Sequence, residues 1–187
     1  MATNLLGTLL CCRAAALLMA TQVCLTVCCV VTGSLTSLML GARSQPAGGS
    51  IFLMEGAGSD GNPTRKYAAY GCTKAALPQL ARSLQAELSQ DKPIAVHTIS
   101  PGMVYTDLIA CGKDAFGSSG NFFVNAFAEE AHVTARIIVP QVLALHSQTQ
   151  QAGTPTRKVQ VLTPLVAVEK LGRRLLFGQN KGRWNPE

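Results

Sequence analysis

The chain opens on a long stretch in which hydrophobic positions show no period. Between Arg13 and Arg43 no charged side chain occurs, and residues 14–42 are rich in Ala, Leu, Val, Cys and Met. About 20 apolar residues suffice to cross a bilayer, so one reading is a small membrane protein anchored by residues 17–40. The interspersed Thr, Ser, Gln and Gly, and the turn-like composition of Thr32–Ser37, support another. In that reading a buried helix over Thr3–Gln22 is followed by an apolar insertion over residues 23–45. A signal segment fits poorly, since Arg13 leaves a thin basic region and no small-residue cleavage site follows.

Beyond Pro46-Ala47-Gly48-Gly49, which reads as a turn, the pattern becomes regular. Ser50–Met54 is a short apolar run bounded by glycines, as expected of a buried parallel strand. Gly56–Pro63 reads as loop, and a helix is predicted from Thr64 or Tyr67 to Leu88. Its Leu77, Leu80, Leu84 and Leu88 recur at helical spacing and mark the core-facing stripe. Ile94–Ile99 is a second buried strand that ends in the turn Ser100-Pro101-Gly102. Strand, helix and strand with short links make a right-handed crossover, hence a parallel sheet and an α/β fold.

Further on, residues 112–121 are Gly/Ser-rich and read as a flexible hinge, followed by Phe122, Phe123 and Phe127. Glu129 and Glu130 suit a helix N-terminus, with the helix running to Pro140 or Leu145. Gln148–Thr156 is a polar linker, Val159–Leu162 a candidate last strand, and Val166–Phe177 a basic helical tail. The expected organisation is therefore 1–22, a helix; 23–45, an insertion; 46–147, the α/β part; and 148–187, linker and tail.

Composition sharpens this picture. The 187 residues suffice for one domain with a core. Hydrophobic residues make up 48% and charged residues 14%, against about 25% charged in ordinary soluble domains. Such a chain buries surface in partners or touches a membrane. The net charge is +6, with a cluster at Arg173, Arg174, Lys181 and Arg183. No basic stripe interleaved with aromatics accompanies it, which argues against nucleic acid. An anionic membrane surface, an acidic partner and a solvated basic face remain open. Five of the seven cysteines sit in the apolar N-terminal part, within residues 11–29, and none forms a C-x-x-C pair. That suits buried thiols in a reducing compartment and predicts neither a disulfide framework nor a metal site.

The candidate chemistry lies in Tyr70 and Lys74, four residues apart on the predicted helix and so on one face. A phenol with a pKa near 10 is a poor proton donor or acceptor at pH 7. A neighbouring ammonium favours the phenolate and lowers that value. The pair then becomes a general acid/base for a carbonyl or alcohol. Such pairs also arise by chance on many helices, so the surrounding residues must carry the argument.

They do so through resemblance. Tyr70-Gly71-Cys72-Thr73-Lys74-Ala75-Ala76-Leu77 resembles the Y-x-[AS]-[ST]-K-[AG]-x-[LV] signature of the short-chain dehydrogenase/reductases. Ser100-Pro101-Gly102-Met103-Val104-Tyr105-Thr106 resembles their P-G-x-V-x-T segment, and Thr3-Asn4-Leu5-Leu6-Gly7 the N-x-x-G opening their central helix. The likeness covers about residues 1–22 and 46–145 and implies a partial Rossmann-type, doubly wound parallel sheet. It also implies roles. Tyr70 would protonate a carbonyl oxygen while NADPH or NADH delivers hydride. Lys74 would hold the nicotinamide ribose and tune Tyr70, and Asn4 would support a water-linked relay behind Lys74. Pro101, Gly102, Val104 and Thr106 would frame the nicotinamide end.

Two features depart from the family. Where a catalytic serine is usual, the chain reads Glu55-Gly56-Ala57-Gly58-Ser59. Ser59 is the available hydroxyl, and it either substitutes, gives way to a backbone N–H or water, or is a plain loop serine. No G-x-x-x-G-x-G for the cofactor pyrophosphate occurs anywhere in the chain. The chain is accordingly expected to be an incomplete reductase, inactive alone or one piece of an assembly.

Within the family, Gly56–Gly61, Tyr67–Gly71, Leu84–Leu88, Ser100–Leu108 and Phe122–Asn125 resemble plant and algal chlorophyll b reductases. That resemblance implies reduction of the C7 formyl group of chlorophyll b or chlorophyllide b to hydroxymethyl. It places the protein in the chloroplast, in the stroma or peripherally on the thylakoid membrane. It also implies homo- or hetero-oligomers with another short-chain reductase. Phe122, Phe123 and Phe127 would cover a flat apolar substrate or serve as ordinary core. The alternatives are a short-chain reductase for another apolar carbonyl and a non-catalytic partner-binding subunit.

Overall fold

The computed structural model describes residues 2–21, 24–31, 34–42, 49–88, 94–111, 113–148 and 154–184. A π-helical turn over Ala2–Gly7 leads into α1 (Thr8–Thr21). Strands β1 (Cys24–Val31), β2 (Ser34–Ala42) and β3 (Gly49–Met54) follow. Next come α2 (Ala68–Leu88), β4 (Ile94–Ser100), α3 (Asp107–Cys111) and α4 (Lys113–Phe127). The described elements end with α5 (Ala131–Gln148), β5 (Lys158–Gln160) and α6 (Pro164–Phe177).

The sheet runs in the order β2-β1-β3-β4-β5. Strands β1, β3 and β4 are parallel, with Ile51 opposite both Cys28 and Val96, and β2 lies antiparallel on β1. The predicted β3–α2–β4 crossover is present, and the fold is α/β. The apolar stretch is not a long helix: α1 ends at Thr21 and the residues beyond supply β1 and β2. No helix among the described residues is long and apolar enough to cross a membrane. The turn expected over Thr32–Ser37 narrows, since β2 already begins at Ser34; residues 32 and 33 lie outside the described residues, as do 46–48 of the expected Pro46–Gly49 turn.

Two compact units divide the chain: residues 1–100 with 141–159, and residues 101–140 with 160–187. In the first, side chains alternate along the strands, and β3 and β4 are buried on both faces. Ile51, Leu53, Ile94 and Val96 pack against Cys12, Ala15 and Met19 of α1 and Ala81 of α2. The opposite face carries Phe52 and His97 in ring contact, with Ser50 hydrogen-bonded to His146 of α5 at 3.1 Å. This two-sided cover leaves β3 and β4 almost continuously buried, as a parallel strand covered on both faces is.

Gln85 of α2 finishes the outer edge of β4. Its Oε1 accepts from Val96 N at 2.6 Å and its Nε2 donates to the Ile94 carbonyl at 3.3 Å. One residue pair further, Thr98 N donates to the Arg157 carbonyl, where β5 arrives. A buried amide side chain thus replaces a strand where β5 does not reach.

In the second unit, α6 has a complete set of terminal signals. Thr163 caps its N-terminus by accepting from Val166 N, Pro164 occupies the first turn, and left-handed Gly178 closes it with an N–H to the Arg174 carbonyl. Trp184 stacks on Tyr105 at 4.3 Å and donates to the Ala128 carbonyl.

Residues 112–121 depart from expectation: α4 covers Lys113–Phe127, although residue 112 lies outside the described residues. The downstream half of α4 is buried at Val124, Asn125 and Ala126. Once that half is anchored, helix propagates upstream against the cost of about 1 kcal/mol per glycine. The next helix also exceeds its expected range, continuing through Pro140 to Gln148.

Candidate active site

Tyr70 and Lys74 lie in the first two turns of α2, above the loop that leaves β3. The loop is built by glycines. Gly58 has φ +91°, and a Cβ there would lie 2.8 Å from the Gly71 Cα. A Cβ on Gly71 would meet Thr64 Oγ1 at 2.0 Å. Loop and helix therefore touch backbone to backbone, which only residues without side chains allow. Thr64 in turn donates to the Tyr67 carbonyl at 3.0 Å, setting the start of α2.

That approach brings three residues to one spot. The Tyr70 hydroxyl lies directly over Gly56, where a Cβ would be 2.3 Å from it and 3.1 Å from Lys74 Cε. Lys74 is 3% exposed. Its ammonium donates to the Met54 carbonyl at 2.9 Å and sits 5.7 Å from the Tyr70 ring centroid. Ser59 closes the turn: its Oγ accepts from Gly56 N at 3.0 Å and its N–H donates to the Gly56 carbonyl at 3.1 Å. The Gly56 N–H is therefore occupied, while the Ser59 hydroxyl proton is not used in that bond.

Asn4, in the π-helical turn, donates to Thr73 Oγ1 at 3.3 Å, and Thr73 donates to the Tyr70 carbonyl at 2.7 Å. The Asn4 carbonyl accepts the Thr8 hydroxyl at 2.7 Å. Asn4 thus engages the residue beside Lys74.

Electrostatics run against one sequence argument. Burial pushes the Tyr70 phenol above its ordinary value, so desolvation and not the nearby ammonium dominates. Burial also pulls Lys74 down, opposed by the negative charge of Glu55. Glu55 is the residue that sequence reasoning missed. It is buried at the end of β3, donates its N–H to the Ile99 carbonyl at 2.8 Å, and pairs with Lys158 at 2.6 Å. The available signal was a carboxylate directly after the apolar run Ser50–Met54.

The remaining candidates belong to the second unit. Pro101 and Gly102 leave β4; Gly102 has φ +73°, and a Cβ on it would meet Leu162 Cβ at 3.0 Å. Val104 bridges to Glu129, flanked by Glu129 N–H to the Met103 carbonyl and Tyr105 N–H to the Glu129 carbonyl. The Thr106 carbonyl accepts from Ile109 and Ala110 at the start of α3. Phe122, Phe123 and Phe127 line α4, with Phe123 stacked on Phe127 at 5.9 Å and the Arg174 guanidinium over Phe122 at 4.6 Å. Phe123 is exposed and the other two are half-buried.

Residues 20–112 match the family described as short chain dehydrogenase. The chain belongs to the short-chain dehydrogenase family. The match takes in β3, α2, β4 and the Pro101–Thr106 segment, and so the Tyr70–Lys74 pair. This short-chain dehydrogenase is 38% identical over 187 residues to chlorophyll(ide) b reductase NOL, chloroplastic, of Oryza sativa subsp. japonica, covering 99% of this chain and 46% of that protein. It is 39% identical over the same length to the protein of that name from Arabidopsis thaliana. It is 36% identical over 140 residues to probable chlorophyll(ide) b reductase NYC1, chloroplastic, of Oryza sativa subsp. japonica, covering 75% of this chain and 22% of that protein. The chain thus spans about half the length, or less, of these curated relatives.

Proposed function

We propose that this short-chain dehydrogenase acts in the reduction of the C7 formyl group of chlorophyll b or chlorophyllide b to hydroxymethyl. The observation that carries the reading is the convergence of the Tyr70 hydroxyl and Lys74 on the side-chain-free floor of Gly56. The names of the relatives support the substrate and a chloroplast location, in the stroma or peripheral to the thylakoid.

The donor set fits the nicotinamide end of NADPH or NADH. An ammonium has three donors, and Met54 takes one from Lys74, which leaves others for ribose hydroxyls. No residues of the G-x-x-x-G-x-G type are present for the pyrophosphate end. The dinucleotide supplies the hydride when bound. Tyr70 donates the proton to the carbonyl oxygen, and its raised pKa keeps it protonated at neutral pH, as an acid must be. The Ser59 hydroxyl polarises the carbonyl in place of the usual serine, held in orientation by the Gly56 N–H. Pro101, Gly102, Val104 and Thr106 are assigned to the nicotinamide end by resemblance alone. Asn4 steadies the helix turn behind Lys74 through Thr73. Phe122, Phe123 and Phe127 are assigned to the apolar substrate.

A second reading, assembly with another short-chain reductase, is favoured by the exposed leucines of the N-terminal helix, Leu5, Leu6, Leu9, Leu10 and Leu17. The test of the main reading is Tyr70→Phe in the full reductase, assayed on chlorophyllide b beside an apolar lipid carbonyl. Turnover should be lost while dinucleotide binding survives. Retained reduction of the formyl group would remove Tyr70 as the acid, and preference for the lipid carbonyl would remove the pigment.

A further inference from the structure

Helix α6 is turned inside out. A helix on the surface of a fold ordinarily sends its apolar stripe inward and its charges to water. In α6 the inward positions are held by charge: Arg174 is buried with its guanidinium over the Phe122 ring, and Lys170 pairs with Glu129. The outward positions are apolar. Leu165 and Leu176 are 83% and 78% exposed, and Val168, Leu175 and Phe177 are exposed with them. Positions 165, 168, 172, 175 and 176 recur at the spacing of one helix face. Gly172 lies in the middle of that stripe, and a Cβ there would meet no atom within 4 Å. Thr163 and Gly178 cap the helix at its two ends, so the stripe is a fixed feature and not a fraying end. A contiguous apolar patch of this kind marks a contact site.

The charges around the stripe decide what it meets. From Pro164 to Trp184 five basic residues stand against one acid, Glu169, which is paired with Arg173 at 2.6 Å. Glu129, the acid beneath the helix, is held by Lys170 and Arg183. Lys181 is exposed just beyond the helix and lines an open depression with Leu175, Phe122, Arg174 and Gly178. A cation therefore stands at the edge of the apolar stripe. A two-fold contact between copies would apply the same patch to itself and bring this basic rim close to its own copy. An aliphatic stripe without hydrogen-bonding groups, rimmed by Lys and Arg, suits a helix lying in the surface of an anionic bilayer. We propose that the outer face of α6, with Lys181 at its edge, is a docking surface for an anionic lipid bilayer. The leucines enter the boundary of the acyl chains, and the basic residues meet the anionic headgroups. The proposal goes beyond the reductase reading, which names no such surface, and the two fail separately.

The test is co-sedimentation of the full reductase with vesicles of phosphatidylcholine, with and without phosphatidylglycerol. Binding should require the anionic lipid and weaken as salt is raised. Leu176→Gln should loosen it about tenfold, the loss expected when a leucine no longer enters an apolar phase. Lys181→Gln should loosen it about fivefold, the share of one basic residue near an anionic surface. Gly172→Leu should tighten it about tenfold, because the added side chain extends the stripe. Leu176 and Lys181 are exposed and Gly172 faces open space, so the thermal melts of these variants should not fall. Equal binding to both kinds of vesicle would overturn the proposal. Binding unmoved by Leu176→Gln and Gly172→Leu would put the lipid on another face and overturn it too. So would failure to bind vesicles at all. In that case self-association lost in Leu176→Gln would make the stripe a contact between copies, and capture on polyglutamate would assign it to an acidic protein.

Discussion

Gly56 is the residue on which the candidate site turns. The sequence shows a glycine where the family has a hydroxyl, and that departure reads as a loss until the distances are known. The Tyr70 hydroxyl occupies the space that a side chain would take. Gly56→Ala should therefore displace Tyr70 rather than simply crowd the loop. A displacement of about 1 Å at a reacting group costs on the order of a hundredfold in rate, and overpacking costs about 1–3 kcal/mol. A turnover assay beside a thermal melt checks both, and wild-type turnover in Gly56→Ala would contradict the geometry. Gly56→Ser should fare no better, since the usual hydroxyl would arrive on a Cβ that has no room. Tyr70 and Lys74 themselves were legible from spacing and signature. Glu55 was not, because a lone acid after an apolar run carries no period and its partner Lys158 lies a hundred residues away.

At the scale of elements, the β3–α2–β4 crossover was legible because its apolar positions repeat at strand and helix spacing. The hairpin β1–β2 was not, because an unbroken apolar run carries no period to separate strand from helix. Helix α4 was hidden by its glycines and serines, whose local preference is overridden by burial further along. Gln85 was invisible for another reason: a polar residue on a helix face reads as solvated, and here it closes the edge of β4. Gln85→Ala leaves Val96 N and the Ile94 carbonyl buried without that partner. It should destabilise the fold by about 1–3 kcal/mol, read as a lower urea midpoint with an unchanged slope. A midpoint equal to wild type would mean that other groups cover that edge.

For the molecule as a whole, acid tolerance is set beneath the sheet. Burial, with Arg157 and His146 as further causes, pulls His97 from its ordinary 6.5 down to about 4, and burial lowers His146 as well. The unfolded chain therefore takes up these protons first. The stability contribution is fully present above about pH 6.5 and is lost as pH falls towards 4, by up to about 3 kcal/mol for His97. The melting temperature should drop over that window, and His97→Gln should flatten the drop. A profile as steep in the variant as in wild type would place the acid sensitivity elsewhere.

The backbone contact of Gly58 with Gly71 also governs how the site comes into being. It closes a loop of about a dozen residues, and closing such a loop takes on the order of tens to a hundred nanoseconds. Gly56, Tyr70 and Lys74 thus lie within one short span of chain, and their meeting carries little of the entropy cost of distant contacts. Tyr70 and its Gly56 floor are close in sequence, whereas Asn4, Lys158 and the ring of His146 must be gathered from far along the chain.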